Sequence, residues 1–192
     1  MNRLWIASLA LAALLLGACS QQDTPGAAPI SKQELSVEAV ATQAKGFTVG
    51  SMMSARTVYV FFDPQCPHCG HLWQASTPLH NKVKFVWIPV AWINASSLPQ
   101  GAALLTATNP TELMTAHEAS LLAGKGGISA PASVASDIEQ SIKANTQLLN
   151  SFGAESVPYI VTKDATTGKT VGRNGALGTP ELAALAGVDA AP

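Results

Sequence analysis

The first apolar stretch of the chain runs from Leu4 to Leu16, 13 residues interrupted only by Ser8. A membrane-spanning helix needs about 20 such residues, whereas the hydrophobic centre of a secretory signal takes about 7–15. Residues 1–18, opening on MNR, therefore read as a signal peptide. Polar and small residues with two prolines follow (SQQDTPGAAPISKQ), so residues 19–33 read as a flexible tether, spanning roughly 20 Å if they behave as a coil. Residues 34–192 read as one folded domain.

Within that domain the pattern changes period several times. Glu34 to Lys45 suits a short helix stopped at Gly46, a C-cap candidate. Thr57 to Phe62 (TVYVFF) is a continuous β-rich apolar run, the signature of a central strand covered on both faces. A helix is expected from about Pro67 to Leu79, then a second strand over Val83–Val90 (VKFVWIPV). Residues from about 96 to 152 read as helical, divided into three by Pro99, Pro110 and Pro131. A third strand is expected over Val157–Thr162, a turn at Thr167–Lys169 and a weak fourth strand over Thr170–Arg173. Thr179-Pro180-Glu181 has the form of an N-cap, a proline at the first helical position and an early acid, opening a last helix to Ala186. The order β–α–β, a helical block, then β–β–α predicts an α/β fold with a mixed central sheet flanked by helices.

Charge adds an exclusion. The formal net charge is −1 and there is no basic run, so nucleic acid is not an expected partner. The three cysteines are too few for a disulfide-scaffold protein, and their placement carries the information.

Leu16-Gly17-Ala18-Cys19 resembles the bacterial lipobox, after which the signal is removed and the cysteine acylated. That resemblance implies lipidation at Cys19, and more than one acyl chain makes a stable anchor. It also implies a domain facing the periplasm, an oxidising compartment. Ser20 in place of Asp leans toward the outer membrane.

Cys66 and Cys69 stand in FFDPQCPHCGHLW, directly after the first predicted strand. A helix starting at Pro67 would put Cys66 at its N-cap, where unpaired N–H groups and the helix dipole favour negative sulfur. His68 adds a possible hydrogen bond or positive charge. These influences lower the thiol pKa and make the sulfur a nucleophile, with Cys69 one turn on and within disulfide reach. Two other readings stand beside redox exchange. Cys66, Cys69 and His71, with His80 or His117 as a fourth ligand, could hold zinc; alternatively, the pair could be a structural disulfide, which in so small a loop constrains the unfolded chain little.

The strand TVYVFFDPQCPHC, the helical block and the later ESVPYIV resemble the thioredoxin-fold periplasmic disulfide proteins over roughly residues 46–187. The D-P-x-C-P-x-C spelling and the run into Gly70-His71-Leu72-Trp73 are most similar to the catalytic domain of the DsbC/DsbG group. The resemblance implies a thioredoxin-like fold with a helical insertion at about 96–152 and a thiol:disulfide oxidoreductase needing no cofactor or metal. Cys66 would attack or be attacked, and Cys69 would resolve the mixed disulfide. Pro158 matches a cis-proline facing the pair, and Val157 would offer backbone groups to a client strand. Implied partners are client proteins with thiols or disulfides and a membrane redox partner of the DsbB or DsbD kind. Three departures matter. Val157 and the Pro67-His68 dipeptide match DsbA rather than DsbC/DsbG, and lean oxidising. Val60 stands where thioredoxin and DsbA carry a buried acid. About 30 residues separate the lipobox from the first family-like strand, too few for the dimerisation domain of DsbC-type isomerases, so a monomer is expected. The alternative reading is a non-catalytic lipoprotein of this fold that binds a metal or a protein.

Overall fold

The computed structural model of the chain describes residues 32–190. Cys19, the signal segment and most of the tether lie outside the described residues, and no helix among those described is long and apolar enough to cross a membrane. Gln33, assigned to the tether, already donates its backbone N–H to the Ser151 carbonyl at 3.0 Å, so the ordered domain begins slightly before Glu34.

The elements in chain order are α1 (Val37–Gln43), β1 (Phe47–Gly50), β2 (Thr57–Phe62), α2 (Pro67–Ser76) with a 3₁₀ turn over Thr77–Leu79, and β3 (Lys84–Pro89). Then come α3 (Ser97–Leu105), α4 (Pro110–Leu122), α5 (Ser136–Ser151), β4 (Tyr159–Lys163), β5 (Thr170–Asn174) and α6 (Thr179–Ala186). The five strands form one mixed sheet in the order β1-β3-β2-β4-β5. β2 runs parallel to β3 and antiparallel to β4. Both edge strands, β1 and β5, pair antiparallel to their neighbours. α2 packs against α4 and α6, and α5 against α1 and α3.

β2 is fully buried only over Val60–Phe62; its first half alternates between buried and half-buried positions. The strand is thus deepest at the end that leads into the cysteines. Beneath α2 the core is aromatic. Trp87 meets Trp73 edge-on with ring centroids 5.2 Å apart, and Phe62 at 5.5 Å. Phe47 closes the cluster against Phe62 at 6.0 Å. Such edge-to-face pairs add about 0.5–1.5 kcal/mol beyond the area they bury.

Three local expectations are corrected. β1 is a strand that the sequence pattern did not reveal, because four residues, the last of them Gly50, carry almost no periodic signal; pairing with β3 creates it. Gly46 does not cap α1, which ends at an extended Ala44. It is needed for close approach instead: a Cβ there would lie 2.6 Å from the Trp87 carbonyl oxygen. Finally, Gly178 occupies the N-cap of α6, and the Thr179 hydroxyl reaches across to donate to the Ala75 carbonyl of α2 at 2.8 Å. The prolines of the helical block also divide differently. Pro110 opens α4 with Asn109 as its cap, whereas Pro99 sits inside the first turn of α3, where its missing N–H leaves no bond unmade.

Candidate active site

The chain leaves β2 at Phe62 and turns through Asp63, Pro64 and Gln65 before α2 begins. Cys66 is the N-cap of α2, with extended backbone (φ −99°, ψ 109°), and Pro67 takes the first helical position. Cys66 and Cys69 are both free thiols, and both are buried. Pro67, His68 and His71 are exposed on the outer side of the helix, with the two imidazoles edge to face at 6.0 Å. The Cys66 S–H donates to the Val157 carbonyl at 3.3 Å, and the Val157–Pro158 peptide bond is cis. The turn between β2 and α2 and the entry to β4 thus meet at one sulfur, although 91 residues separate Cys66 from Val157.

The two thiols are electrostatically unequal. The Cys66 thiol is pulled down to about 7, first by hydrogen bonding from the Cys69 thiol and then by the Cys69 and His68 backbone N–H groups, against burial and the Asp63 charge. Burial pushes the Cys69 thiol well above its ordinary value, and the Cys66 and Glu118 charges push it further. The sequence reading placed the helix end first among the causes. The Cys69 thiol stands first among the causes, and the two backbone N–H groups of the helix end follow.

Asp63 is completely buried and fully engaged. Its Oδ1 accepts from the Gln65 N–H at 2.8 Å and the Ser97 hydroxyl at 2.7 Å. Its Oδ2 accepts from the Trp92 and Ile93 N–H groups at 2.6 and 2.9 Å. Asp63 is thus the joint between the cysteine turn and the loop after β3. The helical block holds the same turn from outside. His117 is buried, its Nδ1 accepting from the Ile128 N–H at 3.2 Å. Its Nε2 therefore carries the proton and donates to the Pro64 carbonyl at 2.7 Å. The Gln65 amide donates to Gln100 Oε1 at 2.6 Å, and Gln100 in turn donates to the Gly126 and Ile128 carbonyls.

None of His117, Gln100 and Glu118 belongs to a motif; sequence reasoning offered His117 only as a possible zinc ligand and missed the proximity of Gln100 and Glu118 to the cysteines. The only signal was negative: polar residues on helices whose neighbours are apolar. The zinc reading lacks geometry. Among the described residues no three His, Cys, Asp or Glu side chains gather as a ligand set. His80 is instead engaged with the Ser76 hydroxyl at 3.2 Å. The tryptophans divide as core and rim: Trp73 and Trp87 are buried, whereas Trp92 is 38% exposed beside Ile93 at 49%.

No family model matches the chain. It is 33% identical over 119 residues to the thiol:disulfide interchange protein DsbG of Escherichia coli (strain K12), across 60% of this chain and 47% of that protein. It is 31% identical over 141 residues to the DsbG of Pseudomonas aeruginosa, across 72% and 54%. The chain thus spans about half the length of the curated relatives it matches. A solved periplasmic thioredoxin-like protein from Salmonella enterica serovar Typhimurium superposes with a TM-score of 0.63 at 17% identity, covering 81% of this chain and 97% of that one. The chain has the thioredoxin-like fold and is similar in sequence to thiol:disulfide interchange proteins.

Proposed function

We propose that this protein is a periplasmic thiol:disulfide oxidoreductase that exchanges disulfides with client proteins through Cys66 and Cys69, held at a membrane by lipid on Cys19. The observation that carries the reading is the inequality of the two thiols: one ionises at about 7 and the other is buried and pushed well above the ordinary range. Exchange needs that division of labour, since the thiolate is the attacking species and a sulfur that is easily expelled must be the one a client meets. The similarity to DsbG proteins supports the same chemistry.

In the oxidising direction a client thiolate attacks Cys66 of the Cys66–Cys69 disulfide, and the bond's electron pair leaves on Cys69. A second client thiolate then attacks the client sulfur of the mixed disulfide and releases Cys66 as a thiolate. In the reducing direction Cys66 attacks a client disulfide and Cys69 resolves it. Val157, whose carbonyl faces the Cys66 sulfur, offers main-chain hydrogen bonding to an extended client segment, a mode tolerant of client sequence. The exposed Trp92–Ile93 pair, adjoining the Asp63 joint, supplies an apolar rim.

The ionisation of Cys66 bears on direction. A strongly oxidising site such as DsbA's holds its thiolate at about 3.5, and thioredoxin's at about 7. The Pro67-His68 dipeptide leans the other way, but stabilisation of the thiolate itself sets how far the reduced form is favoured. Equilibration with glutathione decides the direction: a potential near about −270 mV supports a thioredoxin-like reductant and one near about −120 mV a DsbA-like oxidant. Cys66→Ser should abolish exchange, and Cys69→Ser should accumulate mixed disulfides visible on a non-reducing gel. Full exchange by the Cys66→Ser variant overturns the assignment. A membrane partner of the DsbB or DsbD kind would return the dithiol to its working state.

A further inference from the structure

One buried acid near the dithiol has no structural employment. Glu118 lies on α4 and is 1% exposed, and neither of its carboxyl oxygens has a hydrogen-bond partner. Leaving a buried polar group unpaired is destabilising, so an apolar residue would serve the α2–α4 contact better. The carboxyl is aimed at the residue that follows Cys69. A Cβ on Gly70 would lie 2.7 Å from Glu118 Oε2 and 3.1 Å from Leu122 Cγ, so glycine makes the room in which the carboxyl sits. The nearby Asp63 differs: each of its oxygens already accepts two hydrogen bonds.

We propose that Glu118 is the proton store for the Cys69 sulfur, giving up a proton when the Cys66–Cys69 bond breaks and taking one when Cys69 attacks. This rests on the exchange reading above. In the oxidising direction the incoming thiolate forms a bond to Cys66, the S–S bond breaks, and its electron pair goes to Cys69. The Glu118 carboxyl proton moves to that sulfur, leaving a Cys69 thiol and a Glu118 carboxylate. Glu118 regains a proton from solvent as the Cys66 thiolate is released, because the Cys66 charge favours the protonated carboxyl. The reverse step begins with the Cys69 thiol proton passing to the Glu118 carboxylate.

The charges around the site agree with this role. Burial first, and then the Cys66 charge, raise the Glu118 carboxyl to about 9, so it holds a proton at neutral pH. Cys69 is raised well above the ordinary thiol value, so a Cys69 thiolate leaving into the interior is a strong base. α4 packs against α2, α3 and β1. α2 and its cap present Cys66, Cys69, His68 and His71, the two histidines being exposed; α3 and β1 carry no titratable side chain. His117, beside Glu118 on α4, is committed to Pro64 and Ile128.

The test uses oxidised protein and reduced glutathione, with mixed-disulfide formation quenched in acid and read by mass across about pH 6–10. The ratio of variant to wild-type rate cancels the titration of glutathione itself. Glu118→Gln should be slower by roughly 100-fold near pH 7, the usual size of a general-acid contribution. The deficit should shrink toward high pH, as wild-type Glu118, raised in the disulfide form by burial alone, loses its own proton. Glu118→Asp, which retains the acid, should recover at least about tenfold of the lost rate. A ratio within about threefold at every pH, or a deficit flat across the range, overturns the assignment, since a packing role would not follow the carboxyl titration. If wild-type protein itself fails to react while Cys66 of the reduced protein is alkylated normally, the exchange reading falls and this one with it. If the wild type reacts and Cys66→Ser does not, an unaffected Glu118→Gln variant removes only the proton store.

Discussion

Two carboxylates near the same pair of sulfurs have opposite fates, and hydrogen bonding separates them. Asp63 accepts four hydrogen bonds, three from backbone N–H groups and one from Ser97, and so joins the cysteine turn to the loop after β3. Glu118 accepts none. Asn at position 63 would place an amide NH₂ where Oδ1 or Oδ2 now accepts, setting donor against donor. Asp63→Asn should therefore destabilise the fold by about 2–3 kcal/mol, the range for hydrogen bonds to a charged group, measured as a lower urea midpoint at unchanged slope. A shift below about 0.5 kcal/mol, typical of an inconsequential surface change, would show that the joint is dispensable. The residue types at this site were visible in the sequence: Cys66 at an N-cap and a carboxylate three residues earlier. The number of partners on Asp63 was not, because Trp92 and Ile93 come from the loop after β3 and Ser97 from the start of α3, about thirty residues away in sequence.

At the scale of elements, α4 acts as a brace. Its His117 spans from the Ile128 N–H to the Pro64 carbonyl, two bonds that only the neutral ring can make together. Burial lowers the His117 pKa, against the Pro64 hydrogen bond and the Asp63 charge, which raise it. Above about pH 6.5 the ring is neutral in both folded and unfolded chains. As pH falls below that value the unfolded chain takes up a proton that the folded chain refuses, and stability is lost down to the folded pKa. The slope approaches about 1.4 kcal/mol per pH unit for one histidine. His117→Gln should be less stable than wild type at pH 7.5, and the gap should narrow at pH 5, as urea midpoints would register. A gap of constant size would mean that the ring does not titrate across this range. His80 is lowered by burial in the same direction and remains in both proteins, so it cancels from the comparison. Periodicity located α4 and Pro110 located its start, but nothing in the sequence showed that it would lie against α2. β1 was missed for a related reason: four residues hold too little pattern to announce a strand whose partner is β3.

Over the whole molecule, the arrangement joins a sheet whose central strand is buried at the end that leads into the cysteines to a helical block that supports the cysteine turn from outside. The proposed tether and lipid would keep this unit near a membrane. Cys19→Ser should move the protein from the membrane fraction to the soluble one, and unchanged fractionation would exclude lipid at that residue as the anchor. The sequence by itself determined the strand–turn–helix carrying Cys66 and Cys69, three of the strands at the centre, the three helices of the insertion and the candidate lipid site. Each of those is written in residues adjacent along the chain, through periodicity, a proline at a helix start or a short spelled motif. Only the tertiary structure decided that Val157 faces Cys66, that Asp63 is a joint, and that Glu118 lies unpaired against Gly70. Burial and pairing belong to neighbours in space, and an acid on a helix reads the same in sequence whether water or a buried thiol lies beyond it.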